Sequence, residues 1–449
     1  MIRTLSALRT LLAAAALVSV LAPSAAGGAP MKRPVPNYDG RAEADATAGD
    51  ALLWIPRVLL SPAYLVSEYV LRRPLGYLFT EAERAEVPSL LLSIFTFDEG
   101  KAGIIPTVLF DFGLDAGALP SAGFYFFYDD LAFAGHDLRA RAAIGGSDWV
   151  ELDLTNRFAL DAASRLSVGL SYERRKDEVF AGVGPSFDDD AIGRYGLDRL
   201  SARVGVERTL GLRGEVSAFL ALSHYGYFRG DCCDEPGLDE RVEQGVYPTP
   251  AGFDDRHTDV GPTVRLALDS RPVRPGPESG VRLELFGVAA RGLDDTDATW
   301  LRYGASLGGY LDFHNNRTVG LRVYAEFVSA IDGDAPFSEL ALLGGKAPLR
   351  AFEEGRLRGE SALALTLDYR WPIWVFLDGS LFVEVGNVFG AALEGLESDR
   401  LRLSFGLGMR PASREDHPFE FLLAFGTEPL GDGAEITTLR VVFGTTTGF

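Results

Sequence analysis

Apolar and polar residues alternate with a period of two over most of this chain, from about Ile104 to the C-terminus. The stretch Leu401–Arg410, for example, alternates large apolar residues with Arg, Ser and Gly. Successive side chains of a strand point to opposite faces, so the pattern predicts strands with one apolar and one polar face. The runs last about ten residues, which is the length that a tilted strand needs to cross a bilayer. Because strands of soluble proteins average about five or six residues, the pattern favours a transmembrane barrel over a soluble sandwich or a solenoid.

The number of alternating runs defines the size of the expected barrel. Sixteen runs begin near Ile104, Ala122, His136, Trp149, Ser164, Arg199, Arg213, Thr258, Gly280, Thr299, Thr318, Ala362, Leu377, Arg400, Phe419 and Thr438. An even number of strands is the rule for single-chain bacterial outer-membrane barrels. The sequence therefore predicts an all-β fold, a 16-stranded antiparallel transmembrane β-barrel over residues 104–449.

The connections between these runs alternate in length, which supports the count and suggests an orientation. If the first strand runs outward, the links after odd-numbered strands lie outside the cell. The three longest links, Arg174–Asp198, Gly230–Arg256 and Ala330–Ser361, all fall in that class. Most links of the other class are short, such as Phe133–Gly135. Longer outer loops and short periplasmic turns are typical of outer-membrane barrels.

Composition argues against a nucleic-acid partner and against a disulfide-stabilised fold. The formal net charge is −20, which argues against a nucleic-acid partner because such a partner needs a basic surface. The two cysteines, Cys232 and Cys233, are adjacent and cannot form a disulfide framework for the whole chain. They lie in a predicted outer loop, where we expect a locally oxidised loop, with a loop-bound cation as the alternative. Past the N-terminus, no uncharged apolar run of about 20 residues is present to form an ordinary transmembrane helix.

The first residues indicate export. Arg3 and Arg9 supply a positive n-region, Leu11–Leu21 is a short apolar core, and Pro23–Ala26 is a small-residue cleavage site. These features predict a secretory signal peptide over residues 1–26. Residues 27–49 are rich in Gly, Pro, Ala and charge and are expected to be a flexible lead-in. Together with the barrel pattern, they predict localisation in the bacterial cell outer membrane.

Residues 50–103 are expected to form an amphipathic helical segment and to lead into the barrel. Ser61 followed by Pro62 is typical of a helix start. Pro56, Arg57 and Pro62 count against a bilayer span. The segment is therefore predicted to lie at a membrane interface or, equally, to pack against the barrel.

The eleventh-to-twelfth loop and the two strands after it carry the main candidate site. Alternation places Asp368 on the lumen face of the twelfth strand, and Glu384 and Gly386 on the lumen face of the thirteenth. An Arg of the loop that folds inward would bridge the two carboxylates, because its planar guanidinium suits that pairing better than an ammonium group does. The alternative from the residues alone is a solvated surface loop above a wet channel.

This combination resembles the outer-membrane assembly-factor superfamily, the bacterial surface antigen barrels of BamA and TamA type. Leu349–Phe352 is similar to the Val-Arg-Gly-Phe motif of their sixth outer loop, with Arg350 and Phe352 at the matching positions. The resemblance implies that Arg350 contacts Asp368 and Glu384, which stand where the family usually has Glu and Asp. It also implies that Phe449 is the C-terminal aromatic signal read during barrel assembly.

The resemblance implies a function as well as a fold. It implies a barrel without enzymatic activity or cofactor that assists protein insertion or transport across the outer membrane. The implied partners are outer-membrane lipid, client outer-membrane proteins and periplasmic factors. Because the stretch between Ala26 and Ile104 has no room for a periplasmic POTRA module, we expect the POTRA-less branch.

Two other functional classes remain as alternatives. A passive porin or structural barrel would use Arg350 as a plug or constriction. An outer-membrane lipid hydrolase would need a Ser, a His and a polar partner at the membrane rim, and no G-x-S-x-G motif appears in the strand-to-helix context that a nucleophile elbow requires. None of the five His lies in a metal-ligand spacing such as H-x-x-x-H, so no metal site is predicted.

Overall fold

The computed structural model describes residue 69, residues 73–86, residue 90 and, with short gaps, residues 93–445. The gaps are 114–116, 147–148, 187–190, 212–213, 231, 234, 254–255, 272–278, 294–297, 313–316, 375–376 and 412–418. The predicted signal peptide, the predicted lead-in, the Ser61–Pro62 helix start and Phe449 lie outside the described residues.

Sixteen antiparallel strands form one closed sheet, in which each strand pairs with its chain neighbours and the last strand pairs with the first. In chain order they are β1 Ala102–Gly113, β2 Gly117–Tyr128, β3 His136–Gly145, β4 Trp149–Ala159, β5 Ser164–Phe180, β6 Gly193–Leu210, β7 Gly214–Arg229, β8 His257–Asp269, β9 Gly280–Gly292, β10 Thr299–Asp312, β11 Thr318–Asp332, β12 Ser361–Trp374, β13 Leu377–Phe389, β14 Arg402–Pro411, β15 Phe419–Thr427 and β16 Ile436–Thr445. The predicted 16-stranded barrel is confirmed.

The two faces of the wall differ as the alternation predicted. On β13, Val383 is 47% exposed on the outside, whereas its neighbours Phe382 and Glu384 are 3% and 0% exposed. The outer face is a band of aliphatic and aromatic side chains, as hydrocarbon requires. Charged and polar side chains therefore line the lumen.

One end of the barrel carries the long links that follow β5, β7 and β11; we call it the long-loop end, and the opposite end the short-turn end. The prediction that Arg174–Asp198 is a loop is wrong over most of that range. β5 and β6 remain paired up to Phe180 and Gly193. A charged run hides the alternation there, and an irregularity between Arg175 and Glu178 lets the ladder continue. The β7–β8 link contains the short helix Leu238–Glu243.

An aromatic cap, made of Phe180, Tyr195, Tyr227, Phe253 and Phe337, packs at the long-loop end. Phe337 lies at its centre, with ring centroids 5.2 Å from Tyr195, 5.0 Å from Tyr227 and 5.6 Å from Phe180. The cap joins the extended strands β5–β7 to the links that follow β7 and β11.

A separate helix, Arg73–Arg84, precedes the barrel, with Tyr77 and Leu78 largely exposed. A two-residue strand, Thr96–Phe97, then pairs with Ala102 and Gly103 at the start of β1. No helix within the described ranges is both long and apolar enough to cross a membrane.

Candidate functional site

The link between β11 and β12 folds back into the barrel. Its short strands Ala341–Leu343 and Leu357–Gly359 pair with each other, and the segment between them forms a buried tip. We call residues 341–359 the lumen loop. Gly344 and Gly345 have φ of 95° and 61°, and a Cβ on Gly344 would lie 2.8 Å from the Phe352 carbonyl oxygen. The turn that starts the tip therefore requires glycine.

The tip places Arg350 against Glu384 on β13. The Arg350 backbone N–H donates to Glu384 Oε2 at 2.8 Å, and its Nε donates to Oε1 at 3.0 Å. The guanidinium carbon also lies 3.7 Å from the centroid of the Phe382 ring. Glu384 is 0% exposed, so the loop arginine provides the opposite charge that a buried carboxylate needs. Ser404 of β14 donates a further hydrogen bond to it at 3.1 Å.

The second predicted acid, Asp368 on β12, has different partners. It forms an ion pair with Arg370 of its own strand, and Arg410 Nη2 of β14 lies 3.8 Å from its Oδ2. Arg350 acts on Asp368 only through a longer-range Coulomb interaction. The expectation that Arg350 bridges both acids is therefore met at Glu384 and not at Asp368, because Arg370 and Arg410 are closer to that carboxylate.

The other two predicted site residues, Phe352 of the lumen loop and Gly386 of β13, each make a local packing contact. Phe352 is 0% exposed, and a Cβ on Gly426 of β15 would lie 2.9 Å from its ring. Its ring therefore fills the space that a glycine of the wall leaves. A Cβ on Gly386 would lie 2.8 Å from Ala364 Cα on β12, so Gly386 is constrained by the neighbouring strand of the wall.

Arg440 on β16 is the main residue that the sequence reasoning missed. Its Nε and Nη2 donate to Asp111 of β1 at 2.9 and 2.6 Å, across the strand pair that closes the barrel. Its Nη1 donates to the carbonyl oxygens of Gly345 and Arg350 at 2.9 and 3.0 Å. The sequence pattern could have identified Arg440 as a lumen residue, because its neighbours Leu439 and Val441 belong to the outer face.

Two further hydrogen bonds join the backbone of the loop tip to side chains of the barrel wall. Ala351 N–H donates to Ser404 Oγ at 3.2 Å, and Thr438 Oγ1 donates to the Ala351 carbonyl at 3.2 Å. The tip is thus held by β13, β14 and β16 together.

The other part of the lumen loop is tied to the long-loop end. Arg358, which is 2% exposed, donates to the Phe337 carbonyl and, at 3.3 Å, to Tyr195 Oη. Arg194 of β6, fully buried, pairs with Glu235 and, at 3.1 Å, with Glu353. Burial raises the pKa of the Glu353 carboxyl above its usual value. The loop therefore connects the aromatic cap to the closing strands.

A charged cavity of about 640 Å³ lies between the loop and the wall. Within the described residues, no group of three or more His, Cys, Asp or Glu is arranged to hold a metal ion. Cys232 and Cys233 form a disulfide with each other. The chemistry that the site offers is reversible ion pairing between a loop and the barrel wall.

Comparison with known proteins places this geometry in a family. The fold is similar to that of BamA from Haemophilus ducreyi lacking POTRA domains 1-3, with a TM-score of 0.53, 16% identity, and coverage of 77% of this chain and 70% of that chain. It is also similar to CdiB from Acinetobacter baumannii, with a TM-score of 0.49 and 12% identity. That match covers 77% of this chain and 60% of the CdiB chain. No curated protein sequence is significantly similar to this chain.

At such identities these structural likenesses show the fold alone, and the family is shown by a separate match. Residues 134–447, well over half of the chain, match the Omp85 superfamily domain. Barrels of this type reside in the bacterial outer membrane. The family match and the closed 16-stranded barrel confirm the family prediction, and the chain belongs to the Omp85 superfamily.

Proposed function

We propose that this chain is a non-enzymatic outer-membrane barrel that assists the insertion or passage of proteins, with the lumen loop as its movable part. One observation carries the proposal. The loop tip is fastened to β13 through Arg350 and Glu384 and, within a few residues, to the closing strands through Arg440 and Asp111. A change that releases the tip would therefore act directly on the strands that close the wall.

The closing strand pair supports this role. Among the described residues, β1 and β16 pair over Leu109–Gly113 and Arg440–Gly444, whereas β1 pairs with β2 along its whole length. A Cβ on Gly444 would lie 2.8 Å from Leu109 Cα, so the pair contributes little side-chain packing at that point. The Arg440–Asp111 ion pair thus provides an important part of the stability of the closure.

A passive porin or structural barrel is the second candidate, and the charged cavity favours it. The aromatic cap and the buried loop tip oppose it, because both occupy the path of a solute through the lumen. Single-channel recordings in planar bilayers separate the two candidates. We expect low and irregular conductance for the proposed function, whereas a steady open pore would support the porin.

Depletion in the native host tests the proposed function directly. We expect the levels of other outer-membrane barrel proteins or of exported proteins to fall, and the intact chain to restore them. Arg350→Ala should fail to restore them, whereas Arg203→Gln should succeed, since Arg203 stacks on Phe219 away from the loop. Unchanged levels of both protein classes on depletion would refute the proposal.

A further inference from the structure

Asp368 lies among several guanidinium groups on the lumen side of β12. Arg370 forms an ion pair with it, Arg410 Nη2 lies 3.8 Å from its Oδ2, and Arg350 is within Coulomb range. One carboxylate cannot balance three guanidinium charges, and Glu384 balances only that of Arg350. The cluster therefore has positive charge in excess.

A further arginine on the neighbouring strand adds to the positive charge near Asp368. Arg322 of β11 also lines the cavity and forms no hydrogen bond or ion pair with any residue in the described part of the chain. Glu420 of β15 is the further acid that acts on Arg410. Other parts of the cavity lining contain acidic side chains, such as Asp111 and Glu354, so the positive excess is confined to the surroundings of Asp368, in a chain whose net charge is −20.

The cavity gives a ligand access to the cluster. Asp368, Arg322, Arg370 and Arg410 all line it. The Arg410 side chain is 40% exposed, so solvent reaches it. A ligand that enters the cavity can therefore contact these guanidinium groups.

Asp368 itself offers an acceptor that the protein does not use. Its Oδ1 is buried and has no hydrogen-bond donor among the described residues, and Asp368 as a whole is 6% exposed. A buried carboxylate oxygen of this kind requires a donor. A ligand that suits the cluster would therefore bring negative oxygens for the arginines and a hydroxyl group for Asp368.

We propose that Arg322, Arg370 and Arg410, with Asp368, form a binding site for a phosphate group, either hydrogen phosphate or a phosphate monoester. Planar guanidinium groups bind phosphate oxygens through paired hydrogen bonds, and the P–OH group of a singly protonated phosphate would donate to Asp368 Oδ1. The phosphate belongs either to a small soluble molecule or to a lipid headgroup. This inference does not depend on the proposed function.

Calorimetric titration of the folded barrel in a zwitterionic detergent tests the site. The probes are inorganic phosphate, inorganic sulfate and short-chain phosphatidic acid, at constant ionic strength and near neutral pH. We expect phosphate to bind more tightly than sulfate, because sulfate has no hydroxyl group to donate to Asp368. Tighter binding of phosphatidic acid than of phosphate would assign the site to a lipid headgroup, and the reverse order would assign it to a soluble ligand.

Variants show whether binding occurs at this cluster. Arg410→Gln and Arg370→Gln should each weaken phosphate binding about tenfold, through loss of a charge-assisted hydrogen bond. Arg203→Gln, which changes a lumen arginine away from the cavity, should leave it unchanged. Asp368→Asn should remove the preference for phosphate over sulfate while preserving anion binding.

Heat-modifiable migration on gels shows that each variant is folded. If one arginine variant fails to fold, the other and Asp368→Asn still decide the question. Equal phosphate affinity in the intact chain and in the folded arginine variants would overturn the proposal, and so would an absence of phosphate and phosphatidic acid binding to the intact chain.

Discussion

Arg440 on the last strand forms a two-pronged ion pair with Asp111 on the first strand, with hydrogen bonds of 2.9 and 2.6 Å. The same guanidinium donates to the Gly345 and Arg350 carbonyl oxygens of the lumen loop. One side chain therefore joins both closing strands and the loop tip. Because Arg440 is 8% exposed, water replaces these bonds poorly when one partner is removed.

Neutralising either member of this pair should weaken the barrel. Arg440→Gln and Asp111→Asn should each reduce the free energy of unfolding by roughly 2 kcal/mol, since hydrogen bonds to charged groups contribute about 1.5–3 kcal/mol. The measurement is urea unfolding in lipid vesicles, with Arg203→Gln as the control. If the two changes are strictly additive in the double variant, the ion pair does not stabilise the closure.

Removing the loop arginine should release the tip. Arg350→Ala leaves Glu384 buried without its charged side-chain partner, so the temperature at which the barrel unfolds on gels should fall. Arg350→Lys should recover only part of the loss, because an ammonium group does not reproduce the guanidinium geometry. Limited proteolysis within residues 341–359 should become faster in the Ala variant. Unaltered heat resistance and proteolysis would contradict the assigned role of Arg350.

A single methyl group on the wall should displace Phe352. Gly426→Ala places a Cβ 2.4 Å from Thr438 Oγ1 and 2.9 Å from the Phe352 ring. Both distances are shorter than real Cβ contacts, so the ring and the Thr438 hydroxyl, which donates to the loop, must both shift. Gly287→Ala is a matched control, because a Cβ at Gly287 has no heavy atom within 4 Å. We expect a lower unfolding temperature for Gly426→Ala alone. Equal effects of the two substitutions would mean that the packing of Phe352 against the wall at Gly426 does not restrain the loop.

Glu353 should give the barrel a measurable pH dependence. Burial raises the pKa of its carboxyl in the folded state, so folding favours the protonated form. Its stabilising contribution is complete below the unfolded pKa of about 4.3 and is lost as the pH rises through the folded pKa. The stability of the intact chain relative to Glu353→Gln should therefore decrease from about pH 4 upward. A constant or increasing difference in urea unfolding would argue against this shift.

The lumen face of the site was predictable because alternation leaves only two choices for each residue. Once Val383 is assigned to the lipid face, Phe382 and Glu384 must face inward, and both are buried there. The loop motif then indicates which arginine approaches Glu384. These inferences need only the local sequence and one resemblance.

The choice of partners within the lumen was not predictable in the same way. Asp368 pairs with Arg370 and Arg410 because long side chains on one face compete for a single carboxylate. Arg440 and Asp111 are 329 residues apart in the chain, and only closure of the sheet brings them together. The register at closure depends on the stagger of all the strands, which local patterns do not determine.

The position of the lumen loop in the chain has a consequence for biogenesis. Glu384, Ser404, Thr438 and Arg440 all follow the loop in sequence, while Asp111 comes from the first strand. The tip therefore cannot acquire its complete set of partners until the final strand has been synthesised and has met the first. Seating of the loop is accordingly a late event, and it distinguishes a finished barrel from an open sheet that still exposes two unpaired edges.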